Sequence, residues 1–341
     1  NDESGIYLSD MAGLSHARLS IRDIVTGKQP IIRQKNGKEY AIVYNGELYN
    51  TGELARDLRQ SGYEFSTTTD TEVILYAYMQ YGASFVRKLN GIFAFAIWDD
   101  SKKQLLLYRD RVGIKPLFYL FASEPKALFC FPGFTPRVSM DGIREVLAIG
   151  PARTMGNGIF DDVNEVLPGH YLIFSENTMS DHTYWDLFRA PHTDSYEQTV
   201  ETVSFLLRDS VTRQMVSDVP VCTFLSGGID SSIVTAIACR YMEKHGETLN
   251  TFSFDFKDND IYFKSNAFQP ERDLPYVKIM LDHNHTNHTY MECDENTLFS
   301  ALRDAVDAKD FPGMTDVDSS LLYFCSLVKK HNKVALTGEC A

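Results

Sequence analysis

Short strand-like runs fill most of the first half of the chain, and an alternation of strands and helices replaces them in the second. Gly5–Leu8 and Gly13–Ile21 read as strands. Ile31–Val43 reads as a hairpin turning at Asn36-Gly37, a pair that tolerates the positive φ of a type I′ turn. Glu53–Ser61 and Asp70–Tyr81 have helical spacing, with Val73, Ile74, Ala77 and Tyr81 on one face of the second. Gly91–Trp98 and Gln104–Tyr108 predict a further hairpin through Asp99–Lys102, and Gly169–Phe174 a last strand.

Arg189–Ser195 is polar, carries Pro191 and lacks periodicity, so it marks a boundary between domains 1–189 and 196–341. Beyond it the pattern predicts, in order, a helix near Tyr196–Met215, a strand Pro220–Leu225, a helix Ser231–Lys244 and a strand Leu249–Phe256. Helices near Leu274–Asp282, Glu295–Lys309 and Ser319–His331 follow, and Lys333–Leu336 is the last strand. Such alternation predicts a parallel sheet covered by helices, and an α/β fold class. The run Pro116–Ser123 abuts two strand-like pieces without turn residues, which points to a loop dropped after Tyr119. The lack of an initiator Met, and of any element after Gly338–Ala341, points to further sequence beyond both ends.

A formal charge of −13 over 341 residues argues against a nucleic-acid or membrane-surface protein, since few cations are left over to neutralise phosphates. No apolar run approaches membrane-span length, and the N-terminus is not a signal peptide. Cysteines 130, 222, 239, 293, 325 and 340 are scattered, which favours reduced thiols in a cytoplasmic protein. Cys222 and Cys239 read as core positions. His283, His285 and His288 read as a polar loop before a strand, because no Cys or Glu completes a metal site at ligand spacing.

The most informative stretch is Leu225-Ser226-Gly227-Gly228-Ile229-Asp230-Ser231-Ser232, between an apolar strand and a helix. Two glycines let the backbone approach a polyanion, and the first N–H groups of the helix point at it with the positive end of the dipole. Ser226, Ser231 and Ser232 add hydroxyl donors, and Asp230 could hold Mg2+ bridging phosphate oxygens. The Lys-Ser/Thr ending of a Walker A loop is absent, which disfavours γ-phosphate transfer. The plain alternative is a glycine turn with a serine cap.

This loop resembles the pyrophosphate loop of the ATP-pyrophosphatase superfamily. The first half narrows the match, with His16–Ile21, Tyr44–Asn50, Thr69–Ile74, Leu89–Ala96 and Arg109–Leu117 in order. Together these are similar to the class II glutamine amidotransferase half of glutamine-hydrolysing asparagine synthetases. The resemblance implies an αββα, Ntn-hydrolase-like glutaminase followed by a parallel-sheet adenylating domain. It also implies an N-terminal cysteine nucleophile, which no cysteine of this sequence supplies: either it stands upstream of Asn1, as the family pattern beginning ahead of Gly5–Leu8 favours, or this form does not hydrolyse glutamine. Asn45 and Gly46 would form the oxyanion hole. Arg18 would clamp the glutamine α-carboxylate in a two-bond fork, Glu47 and Asp70 would bind the ammonium end, and Ile21 would join that site. The plain alternatives are a second hairpin turn at Asn45-Gly46, an edge charge at Arg18, and a capping box from Thr69 to Glu72 that would place Asp70 in a first turn.

For the second half, the resemblance implies ATP activation of a β-carboxylate as an acyl-adenylate, which ammonia tunnelled from the first half then converts to the amide. ATP would meet Leu225, Ser226, Gly227, Gly228, Asp230, Ser231, Ser232, Phe254, Thr337 and Gly338, with Mg2+ on Asp230; Phe254 could equally be a core aromatic. Glu339 would be catalytic, or a helix cap. The substrates would be glutamine, aspartate and ATP, with a homodimer left open. Met314-Thr315-Asp316-Val317 stands where the family carries an arginine suited to the aspartate α-carboxylate. That departure keeps a related amidotransferase or β-lactam-synthetase-like cyclising ligase in view, and a non-catalytic binding protein on the same scaffold is the third reading.

Overall fold

The computed structural model describes residues 2–119, 122–150, 153–267, 270–311 and 313–338. The proposed junction after Tyr119, and Glu339, lie outside the described residues. The chain divides into two compact units, Asn1–Ala190 with Lys309–Gly313, and Pro191–Ala308 with Met314–Ala341.

In the first unit, β1 (Glu3–Leu8) and β2 (Gly13–Arg18) form a hairpin. β3 (Ile31–Lys35) turns into β4 (Lys38–Leu48) through Asn36 and Gly37 at φ 54° and 73°, the positive values a type I′ turn requires. Next come α1 (Thr51–Gln60), α2 (Asp70–Tyr81), β5 (Gly91–Asp99) and β6 (Gln104–Arg109). The remaining elements are β7 (Phe118–Tyr119), α3 (Pro125–Phe129), α4 (Met140–Ile149), β8 (Asn164–Glu165), β9 (His170–Ser175) and β10 (Thr178–Thr183). The main sheet is antiparallel, in the order β10-β9-β6-β5-β4-β3.

The two-residue period of β4 sorts its side chains between two cores. Ile42 and Tyr44 pack with Leu54, Leu58, Ile74 and Tyr78 from the helices. Ala41 and Val43 face the other way, where Tyr7 and Leu14 of the β1–β2 hairpin close a second core with Ala96 and Trp98. Both faces of the sheet are thus covered, which explains why β5 is almost entirely apolar.

Several expectations shift. β4 runs on to Leu48, so Asn45-Gly46 lies inside a strand and is not a second turn. β2 stops at Arg18, short of Ile21. The capping box at α2 does not form: Thr69 accepts from Thr71 N, while Glu72 reaches past it to Arg33 and to the N–H groups of Ser66 and Thr67. β10, short and mostly exposed, escaped the periodicity.

The second unit holds α5 (Tyr196–Gln214), β11 (Val221–Phe224), α6 (Ile229–Lys244), β12 (Leu249–Phe256), α7 (Asn259–Tyr262) and α8 (Leu274–His283). β13 (Thr286–Cys293), α9 (Glu295–Lys309), α10 (Thr315–Val328) and β14 (Val334–Leu336) complete it. The four strands are parallel in the order β13-β12-β11-β14, as the alternation predicted. Successive strands run outward from β11 to β13, and β14 then returns to the other side of β11. The gap between β11 and β14 is therefore a topological switch point, where open α/β sheets bind ligands outside the carboxyl ends of their strands. α10 begins four residues before the predicted Ser319. His283 ends α8 and His288 sits within β13, bonded to Thr251 at 2.9 Å, so only Asn284 and His285 form the expected loop. Cys222 and Cys239 are core positions, and burial raises their thiols to about 12 and about 11.

Candidate functional site

The first unit contains a cavity of ≈580 Å³ lined by Arg18, Ile21, Asn45, Gly46, Glu47 and Asp70, every residue expected on the glutamine side. Adjacent elements deliver them: the end of β2 and its following turn, the outer part of β4, and the first residue of α2. Asn45 is exposed to the cavity, opposite Ala94 of β5. Gly46 faces Phe93 so closely that a Cβ there would lie 2.2 Å from the Ile92 carbonyl oxygen. Glycine at 46 is therefore required for packing as well as lining the cavity.

Arg18 is 5% exposed and heavily engaged. Nη1 donates to Glu3 at 3.1 Å, and Nη2 donates to the carbonyls of Arg22 and Asp23 at 2.9 and 2.8 Å. Those bonds use both Nη2 hydrogens, so the edge-charge reading fails and the two-nitrogen fork is already partly occupied. Asp70 is buried; burial raises its carboxyl, and Arg22, the Leu48 N–H at 3.1 Å, and the hydroxyls of Tyr44 and Thr69 at 3.2 Å oppose that rise. Burial also pushes the His16 imidazole, which lines this cavity, below its ordinary value, and the Tyr44 carbonyl 3.0 Å from its Nε2 opposes that fall.

The Arg109–Leu117 motif serves the fold more than the cavity. Arg109 pairs with Glu165 at 3.1 Å, and Asp110 accepts the N–H groups of Ile114 and Lys115 at 2.9 Å each. Only Lys115 and Leu117 of that motif reach the cavity wall.

The second unit has its own cavity, ≈440 Å³, at the carboxyl ends of β11, β12 and β14. Leu225, Ser226, Gly228, Asp230, Ser231, Phe254, Thr337 and Gly338 line it, whereas Gly227 and Ser232 do not. α6 starts at Ile229, two residues before the predicted Ser231, with Gly228 as an N-cap that supplies no side-chain bond. No side chain therefore occupies the first-turn N–H groups from the cap, and an anion can take them. Ser231 Oγ braces the loop instead, 3.1 Å from the Gly228 carbonyl and 3.0 Å from Ser226 Oγ. The segment after β14 comes so near that a Cβ on Gly338 would lie 2.4 Å from Ser231 N. Phe254 is half-buried and packs on Phe324 at 5.3 Å, so it is both a core aromatic and a wall of the cavity.

Met314 caps α10 and is 52% exposed, and neither it nor Val317 lines the cavity; Leu321 and Phe324 of the same helix do. Sequence reasoning missed Arg22, Tyr44, Asp255, Asp273 and Tyr290, all of which line one cavity or the other. The one available signal was position, since Asp255 closely follows Phe254 at the same strand end. No group of three His, Cys, Asp or Glu suited to a metal occurs among the described residues. Asp230, Asp255 and Asp273 are among the cavity's lining residues. Asp255 already meets Arg272 at 3.6 Å, the Tyr290 hydroxyl at 2.7 Å and the Asn259 amide at 2.6 Å, so Asp230 is the better fit to Mg2+ held by one or two carboxylates plus phosphate oxygens.

Residues 1–185 match the family model of the glutamine amidotransferase domain, and residues 202–341 match that of asparagine synthase. The chain belongs to the family that joins these two domains. It is 46% identical to "Asparagine synthetase [glutamine-hydrolyzing] 3" of Bacillus subtilis, over 100% of this chain and 57% of that protein. It is 34% identical to "Amidase chyE" of Penicillium rubens, over 96% of this chain and 50% of that protein. With "Asparagine synthetase B [glutamine-hydrolyzing]" of Escherichia coli the identity is 33%, over 72% and 40%. The chain thus spans about half the length of these relatives. None of its described helices is long and apolar enough to cross a membrane.

Proposed function

We propose that this chain carries the glutaminase site and the adenylating site of a glutamine-dependent asparagine synthetase. Glutamine, ATP and aspartate would give asparagine, glutamate, AMP and pyrophosphate. The observation that carries the reading is the convergence of Arg18, Ile21, Asn45, Gly46, Glu47 and Asp70 on one cavity. In that reading 1–189 is the glutaminase domain and 196–341 the synthetase domain. Asn45 and the Gly46 N–H hold the oxyanion of the tetrahedral intermediate. Arg18 binds the glutamine carboxylate through its remaining hydrogens, with Ile21 beside it, and Glu47 and Asp70 meet the ammonium group.

ATP binds at the switch point, with its phosphates against Ser226–Gly228 and the first turn of α6 and its adenine between Leu225 and Phe254. Asp230 would hold Mg2+, which supplies charge neutralisation for the departing pyrophosphate. Glu339 remains a candidate for contact with the acceptor or the incoming ammonia. We place the enzyme in the cytoplasm, with homodimer assembly open to measurement. Assaying the full-length protein for AMP formation, with aspartate and glutamine each omitted in turn, tests the reading. AMP that requires neither substrate would defeat it.

A second reading has specific support. The similarity to an amidase over 96% of the chain, and the missing arginine in 314–317, fit a ligase that amidates or cyclises a carboxylate other than aspartate. A panel of carboxylates in the ATP–pyrophosphate exchange reaction separates the two.

A further inference from the structure

Among the described residues two arginines, Arg18 and Arg22, line the first unit's cavity, and only Arg18 belongs to the recognised motifs. Arg18 binds the carbonyls of Arg22 and Asp23, and Asp23 accepts Thr26 N at 2.8 Å and Thr68 N at 2.7 Å. The turn after β2 is thereby tied to the segment that leads into α2. From this turn the Arg22 side chain, 18% exposed, runs back over the end of β4. Its Nη1 donates to the Leu48 carbonyl at 3.2 Å and to Thr51 Oγ1 at 3.1 Å, and it stands 4.0 Å from Asp70 Oδ2.

That spacing matters. Nη1 spends its two hydrogens on Leu48 and Thr51, so Arg22 offers Asp70 its charge without occupying a lone pair. Asp70 accepts from Tyr44 and Leu48 on Oδ2 and from Thr69 on Oδ1. Three of roughly four acceptor sites are taken by neutral donors, which leaves one for a ligand cation. The groups facing Asp70 are therefore Arg22 from the turn, Tyr44 and Leu48 from β4, and Thr69 with the positive end of α2; Glu47 lines the same cavity as a second acid.

We propose that Arg22 is a positioning residue for the ammonium subsite, parked 4.0 Å from Asp70 by Leu48 and Thr51 so that a buried carboxylate has a counter-charge yet keeps an open acceptor for the substrate. This rests on the glutaminase reading given above. Burial already raises the Asp70 carboxyl and Arg22 opposes the rise. Without Arg22, Asp70 would take up its proton at higher pH and lose its hold on an ammonium group.

The test is glutamine hydrolysis by the full-length protein and its Arg22→Met and Arg22→Lys variants across about pH 5 to 9. Arg22→Met is expected to raise KM for glutamine about tenfold with kcat changed less than about threefold, and to move the acid limb of kcat/KM upward by about one pH unit. Arg22→Lys is expected to recover most of KM. An unmoved acid limb in Arg22→Met overturns the inference, as does a fall in kcat at constant KM, or a lysine variant as impaired as the methionine one. Failure of the unsubstituted protein to hydrolyse glutamine would overturn the glutaminase reading and this inference with it.

Discussion

Gly46 of β4 and Phe93 of β5 are paired so tightly that a Cβ on the glycine would lie 2.9 Å from the Phe93 Cβ. The contact joins a cavity-lining residue to the core of the first unit. Gly46→Ala is expected to destabilise the protein by about 1–3 kcal/mol, the usual cost of overpacking, and to remove glutamine hydrolysis. Thermal unfolding together with a glutaminase assay checks both effects.

Gly338 makes the corresponding contact in the second unit, where a Cβ would lie 2.4 Å from Ser231 N. Gly338→Ala is expected to lower ATP–pyrophosphate exchange at least tenfold, about 1.4 kcal/mol of transition-state stabilisation, while glutamine hydrolysis continues. Measuring both reactions on one preparation separates local damage from misfolding.

Asp23 organises the turn that carries Arg22 and that Arg18 braces from the end of β2. Burial alone would raise its carboxyl, but hydrogen bonds from the hydroxyls and N–H groups of Thr26 and Thr68 outweigh it and hold it at about 2. The folded value lies below the unfolded one, so this stabilisation is present above about pH 4 and is lost as pH falls towards about 2. Asp23→Asn is expected to cost of order 1 kcal/mol at neutral pH after allowance for solvent screening. Urea unfolding of both proteins at neutral and acid pH should show the difference shrinking on acidification.

The sequence was most legible where one local signal ruled the outcome. Asn36-Gly37 specified its turn, Asp70–Tyr81 its helix and Leu249–Phe256 its strand to the residue. Asn45-Gly46 misleads by the same logic, because the pair that makes one turn at 36–37 recurs nine residues later inside a strand, where Gly46 is selected by contact with β5. Glu72 shows a second limit. Its spacing from Thr69 is that of a capping box, yet Arg33, thirty-nine residues earlier, draws its carboxylate to a 2.6 Å ion pair. Arg22 was invisible for a related reason: its value comes from Leu48, Thr51 and Asp70, which only folding brings to it.

Asn45 is exposed to the cavity within β4, a regular element on which a proposed oxyanion donor can be held in place. Asn45→Ala is expected to lower the glutaminase kcat about 10²–10³-fold while asparagine formation from added ammonium salt persists. Parallel loss of both reactions would place Asn45 in the scaffold instead.

The most direct test of the central claim is to follow the amide nitrogen. Full-length protein with glutamine labelled with nitrogen-15 at the amide, ATP, Mg2+ and aspartate should yield amide-labelled asparagine in step with AMP and pyrophosphate. Nucleotide turnover that releases ADP, or labelled ammonia that never enters asparagine while another carboxylate accepts it, would contradict the account.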